Sequence, residues 1–126
     1  MTDTKHAISV YARAAFVPDK SDASRQRFVF AYRITITNTG TVASQLMSRH
    51  WIITDANGHV EEVRGDGVIG EQPLLQPNES FEYTSGTAIA TPVGSMRGSY
   101  QMVAMDGVEF EASIPEFTLA VPRTLH

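Results

Sequence analysis

Cysteine is absent from all 126 residues, which removes disulfide frameworks, thiolate zinc sites, iron–sulfur clusters and cysteine nucleophiles from consideration. No apolar run approaches the ~20 residues with which a helix crosses a bilayer. Positive charge is scarce: 10 Lys and Arg face 14 Asp and Glu, for a net charge of −4. A field of that sign repels a phosphate backbone, so no nucleic-acid partner is expected. Arg13, Lys20, Arg25 and Arg27 gather near one end of the first strand pair and read as a solvated loop. Helical periodicity is also missing, because Pro, Gly or a β-branched run interrupts every window of about eleven residues.

What remains reads as one soluble domain of 13.8 kDa, with a core over about residues 5–122 and flexible ends at 1–4 and 123–126. The opening Met1–His6 has neither a basic segment nor an apolar one, which makes the cytoplasm the expected compartment.

Period-two alternation dominates the chain. Ile8, Val10, Ala12, Ala14 and Phe16 share a face, and Pro18 ends that strand. A polar loop, mobile by composition, follows over Asp19–Gln26. Phe28, Phe30, Tyr32, Ile34 and Ile36 then line one side of the clearest strand. Leu46–Asp55 has Met47, Trp51 and Ile53 on one side with His50, Ile52 and Thr54 on the other, which predicts a central strand. Asn57-Gly58 is a hairpin turn, and His59–Val63 returns as an acidic edge. Ser80–Ser85 alternates again until Gly86 interrupts it, and Thr91–Gly94 is expected to turn. Ser99–Met105 turns through Asp106-Gly107 into Val108, Phe110 and Ala112, and Pro115 makes the last run a bulged or edge strand. Seven or eight such strands predict an all-β antiparallel sandwich of immunoglobulin or fibronectin type III kind, with a closed barrel as the alternative.

One dense cluster stands out, Arg64-Gly65-Asp66-Gly67-Val68-Ile69-Gly70-Glu71-Gln72-Pro73, read as a glycine-rich turn. Its glycines spell G-x-G-x-x-G, the string of a dinucleotide-binding loop. In that loop the last glycine opens a helix that holds the pyrophosphate, whereas here Pro73 and Pro77 prevent a helix. The loop could still cradle an anion in a nest of backbone N–H groups. His59, Glu61, Glu62, Asp66 and Glu71 invite a divalent-metal reading, but Glu61 and Glu62 point to opposite faces of a strand and no metal is assigned. Ser48, His50 and Asp55 lack the convergence from separate elements that a hydrolytic triad needs, so no catalytic residue and no cofactor is expected.

Several strings together resemble the bacterial ApaG family from about Phe28 to Pro122. They are Gln45–Asp55 with the Asn57-Gly58 turn, Val63–Pro73, Glu82–Gly86, Gly98–Met102 and Ile114–Phe117. The resemblance implies a fibronectin-III-like sandwich and an association with cobalt and magnesium tolerance. Similar domains occur in F-box proteins and in a polymerase-delta-interacting protein, where protein binding is the supposed role. The expectation is a non-enzymatic interaction domain whose partner surface comprises Gly65, Asp66, Gly67, Gly70, Glu71, Arg64, Arg49 and His50. Trp51 is a further candidate anchor, and homodimerisation through an exposed strand would follow the same physics. The alternative is a sensor binding a divalent metal or a nucleotide at the same loop.

Overall fold

The computed structural model describes residues 4–122. Of the ends expected to be flexible, all but Thr4 lie outside the described residues. Eight strands follow in order: β1 (Ile8–Phe16), β2 (Phe28–Asn38), β3 (Ser44–Asp55), β4 (Val60–Asp66), β5 (Leu74–Leu75), β6 (Ser80–Ile89), β7 (Val93–Ala104) and β8 (Glu109–Ala120). They form two antiparallel sheets, β1-β2-β6 and β4-β3-β7-β8, with β5 paired to β3. Three strands facing four in this order are a fibronectin-III-like sandwich. β1 and β8 lie side by side and close one lateral flank without pairing, so two sheets form instead of a barrel.

The alternation dictates the core. Phe30, Ile34 and Ile36 of β2 are fully buried, and they face Leu46 and Trp51 of β3 and Tyr100 and Met102 of β7. Trp51 sits in an aromatic cluster with Tyr32, Tyr100 and Phe117, each ring met edge-on or tilted, so it is a packing residue and not a surface anchor.

β3 is central, as its two apolar faces require, but Met47 does not share the face of Trp51. The register jumps from Leu46 opposite Met102 to Ser48 opposite Gln101, leaving Met47 in a bulge, and Leu46 takes the buried position instead. Gly86 does not interrupt β6, since the ladder with β2 holds it opposite Ala31. β7 begins at Val93, inside the expected turn. Asp19–Gln26 is ordered as two 3-10 turns, over Pro18–Lys20 and Ala23–Arg25, the second capped by the Asp22 carboxylate. Pro115 behaves as expected: Gly98 faces Ile114 and Met96 faces Phe117, so Pro115 and Glu116 together oppose Arg97 on a sheet edge.

Asn38 ties the sheets together near β5. Fully buried, its Nδ2 donates to the carbonyls of Val42 and Leu75 at 2.9 and 3.0 Å, and its Oδ1 accepts from the Gly40 N–H at 2.9 Å.

Candidate functional site

The glycine-rich cluster divides into a strand end and a tight turn. Arg64, Gly65 and Asp66 belong to β4, opposite His50, Arg49 and Ser48, and are not part of the turn. The turn itself is Val68–Glu71. The Val68 N–H donates to the Glu71 carbonyl at 2.8 Å and the Glu71 N–H returns to Val68 at 2.9 Å. Ile69 at φ 42° and Gly70 at φ 80° occupy its two central positions, the left-handed pair of a type I′ turn. A β-branched side chain in that region is strained, and Ile69 is nevertheless 57% exposed.

Two devices hold the turn against the sheet. The bulge at Met47 frees its carbonyl, which accepts from the Gly67 N–H at 2.8 Å and from Gln72 Nε2 at 2.9 Å. On the inner side, Arg49 Nη1 donates to the carbonyls of Asp66 and Gly67 at 3.0 and 2.9 Å. Gly67, at φ 60°, lies so close to the turn that a β-carbon there would stand 2.2 Å from the Glu71 carbonyl oxygen. The N–H groups of Gly67, Val68 and Glu71 are thus all spent within the protein.

The outer face of the larger sheet carries a polar array. His50 Nε2 meets Glu62 Oε1 at 2.8 Å, Arg64 lies 3.9 Å from the same carboxylate oxygen, and the Ser48 hydroxyl donates to Gln101 Oε1 at 2.8 Å. Ser48, His50, Arg64 and Gln101, with Asp66 and Glu111, line a groove of about 420 Å³. Of the expected surface residues, Arg64, His50 and Asp66 share this face, Gly70 and Glu71 are exposed at the turn, and Arg49, Gly65 and Gly67 build the support beneath.

Other groupings do not converge. Ser48 bonds Gln101, His50 bonds Glu62, and Asp55 caps its own turn through the N–H groups of Asn57 and His59, so the three are not a triad. Among the described residues no three His, Asp or Glu side chains come together as metal ligands, and His59, Glu61, Glu62, Asp66 and Glu71 form no such set.

Two features escape the alternation pattern. The hydroxyls of Tyr83 and Tyr100 hydrogen-bond to each other inside the core. Burial pushes the Tyr83 phenol up to about 12 and raises that of Tyr100 as well. The strain at Ile69 is the second. Its only sequence signal is a glycine following an apolar residue where a tight turn needs two left-handed positions.

A fibronectin-III-like sandwich with a braced turn on a polar sheet defines a domain class. A model of the ApaG domain matches residues 18–104. Protein ApaG of Nitrosospira multiformis is 62% identical over 122 residues, covering 97% of this chain and 96% of that one. Protein ApaG of Dechloromonas aromatica is 60% identical over the whole of both chains. A crystal structure described as the putative ApaA protein from Bordetella pertussis superposes with a TM-score of 0.93 at 52% identity, covering 98% of this chain and all of the other. The chain belongs to the ApaG family. No helix among the described residues is long and apolar enough to cross a membrane.

Proposed function

We propose that this protein is a non-enzymatic interaction module of the cytoplasm that engages a protein partner through the turn at Ile69 and the adjoining outer face with Arg64 and His50. Ile69 carries the reading. An exposed isoleucine in a left-handed position costs the fold about 1–2 kcal/mol that asparagine or glycine would not. Strain kept at an exposed apolar tip, braced from below by Arg49 and Met47, is what a rigid anchor for a partner requires. Leu74, also exposed, follows the turn by three residues in the chain. The association with cobalt and magnesium tolerance that the family resemblance implies is then exerted through the partner.

A photo-crosslinking amino acid substituted at Ile69 tests this in cells, with the exposed Val93 as control position. A discrete protein adduct is expected from position 69 and not from position 93. Amide NMR titration with Mg²⁺, Co²⁺, ATP and pyrophosphate is expected to leave residues 64–73 unmoved. Shifts confined to those residues at micromolar ligand would instead establish a metal or nucleotide sensor.

A further inference from the structure

The flank opposite the one closed by β1 and β8 is open, and it holds a second site, which shares only Arg49 with the support of the turn. Here β4 and β6 end their sheets without approaching each other closely. In constant-type immunoglobulin domains a fourth strand lies beside the strand equivalent to β6. In this chain the segment after β4 joins the other sheet as β5, so that place is vacant.

The three other sheet edges are blunted in the usual ways. β4 carries Glu61, Glu62, Arg64 and Asp66, β8 carries Glu109, Glu111, Pro115 and Glu116, and β1 is flanked by β8. From Tyr83 to Ile89, by contrast, β6 is Tyr-Thr-Ser-Gly-Thr-Ala-Ile, with neither charge nor proline and with small side chains at its centre. Its outward backbone groups have no strand partner.

Beside this edge the sheets part into a cleft of about 400 Å³, walled by Tyr32, Trp51 and Met96. The Trp51 Nε1–H is the one buried side-chain donor among the described residues that lacks a hydrogen-bond partner. Arg49 stands at one end of the cleft, with Nη2 and Nε left over from the bonds made by Nη1. Glu61 stands at the other end, where Asp55 adds a second carboxylate. In the ladder Arg49 faces Gly65 and Ile53 faces Glu61, four residues along, or ~13 Å at the rise of a strand.

We propose that this cleft receives an extended peptide of a partner protein, added antiparallel to β6 as a fourth strand. Its inward side chains, at every second position, are a basic residue over Glu61, an apolar one over Trp51 and Met96, and an acidic one at Arg49. Five residues of strand cover the same ~13 Å, so the two charges of the peptide and the two of the cleft are in register. Polarity follows from the edge: Ala88 adjoins Glu61, so the antiparallel peptide begins with its basic residue there and ends with its acidic residue near Ser85. Backbone bonds to β6 supply affinity and the alternating side chains supply specificity.

The probe is the blocked peptide Ser-Lys-Thr-Ile-Thr-Asp-Ser, set against its charge-exchanged form Ser-Asp-Thr-Ile-Thr-Lys-Ser. Trp51 is the only tryptophan, so its indole N–H gives a single assignable NMR signal. The first peptide is expected to shift that signal and the amides of residues 84–88, and to bind roughly five- to tenfold tighter than the exchanged one. Glu61→Lys, an exposed change on an edge strand, should abolish the preference, since each peptide then meets one like and one unlike charge, while leaving the melting temperature unchanged. Absence of binding at millimolar peptide, equal binding of both forms, or shifts confined to the turn at Ile69 would overturn the proposal. So would sedimentation of the free protein as a dimer in which a second copy already protects residues 84–88. The supporting readouts are the Trp51 indole and residues 84–88, which lie outside the turn, so the outcome is distinguishable from that of the turn's role.

Discussion

The guanidinium of Arg49 occupies the space where a β-carbon on Gly65 would stand: that carbon would lie 2.7 Å from Nη2 and 2.8 Å from Cζ. Glycine at 65 is therefore a matter of room for the neighbouring strand's side chain, and φ there is not in the left-handed region. Gly65→Ala is expected to displace Arg49 from the carbonyls of Asp66 and Gly67 and to cost about 1–3 kcal/mol in urea denaturation. Combined with Arg49→Met, the two losses should fall well short of additive, because each removes the same contact. Full additivity would mean that Gly65 and Arg49 act independently of each other.

Gly67 and Gly70 both have positive φ, yet their surroundings differ. A side chain at 67 would collide with the Glu71 carbonyl, whereas nothing lies within 4 Å of a β-carbon at 70. Gly67→Val should cost about 3 kcal/mol or more and lower the melting temperature by roughly 10 °C. Gly70→Ala should cost only the left-handed penalty of about 1 kcal/mol. Equal thermal shifts for the two would contradict this distinction.

Burial raises the Tyr83 phenol to about 12, above its ordinary 10.0, and Tyr100 is raised with it. The folded state thus prefers the protonated pair. That contribution is complete below pH 10 and is lost as the pH climbs toward about 12. Stability measured against pH should fall across this window, and the Tyr83→Phe/Tyr100→Phe double variant should lose much of the slope. At pH 7 either single Phe variant is expected to be less stable than the double, since it leaves one hydroxyl buried and alone.

Asn38→Leu keeps the branching of the side chain, with some added bulk, but orphans the carbonyls of Val42 and Leu75 and the Gly40 N–H. A loss of about 2–4 kcal/mol is expected by chemical denaturation. Unchanged stability would show that apolar packing substitutes for the network.

The strands were legible because each is a local property. Phe28–Ile36 alternates at a strand's period and buries one face wherever the strand lies. Met47 departs from the face its alternation predicts because a bulge resets that alternation without leaving any mark in residue type. Gly86 signals a break because glycine disfavours strands, but the ladder with β2 holds it in place. For the site, the glycines of residues 64–73 mark a turn, which the structure confines to Val68–Glu71, whereas the separate duties of those glycines are not legible. Gly65 answers to Arg49 on another strand and Gly67 to a carbonyl four residues on.

Composition and periodicity alone determined the absence of thiol chemistry, the acidic charge, the all-β architecture and the place of the tight turn, since these need only residue types and near neighbours. Tertiary structure alone decided that Trp51 lies in the core, that two tyrosine hydroxyls meet there, that Ile69 carries strain at an exposed tip, and that one flank stays open beside an unprotected edge. Each of these depends on which strands become neighbours. That choice is made by the packing of two whole sheets, which no short stretch of sequence encodes.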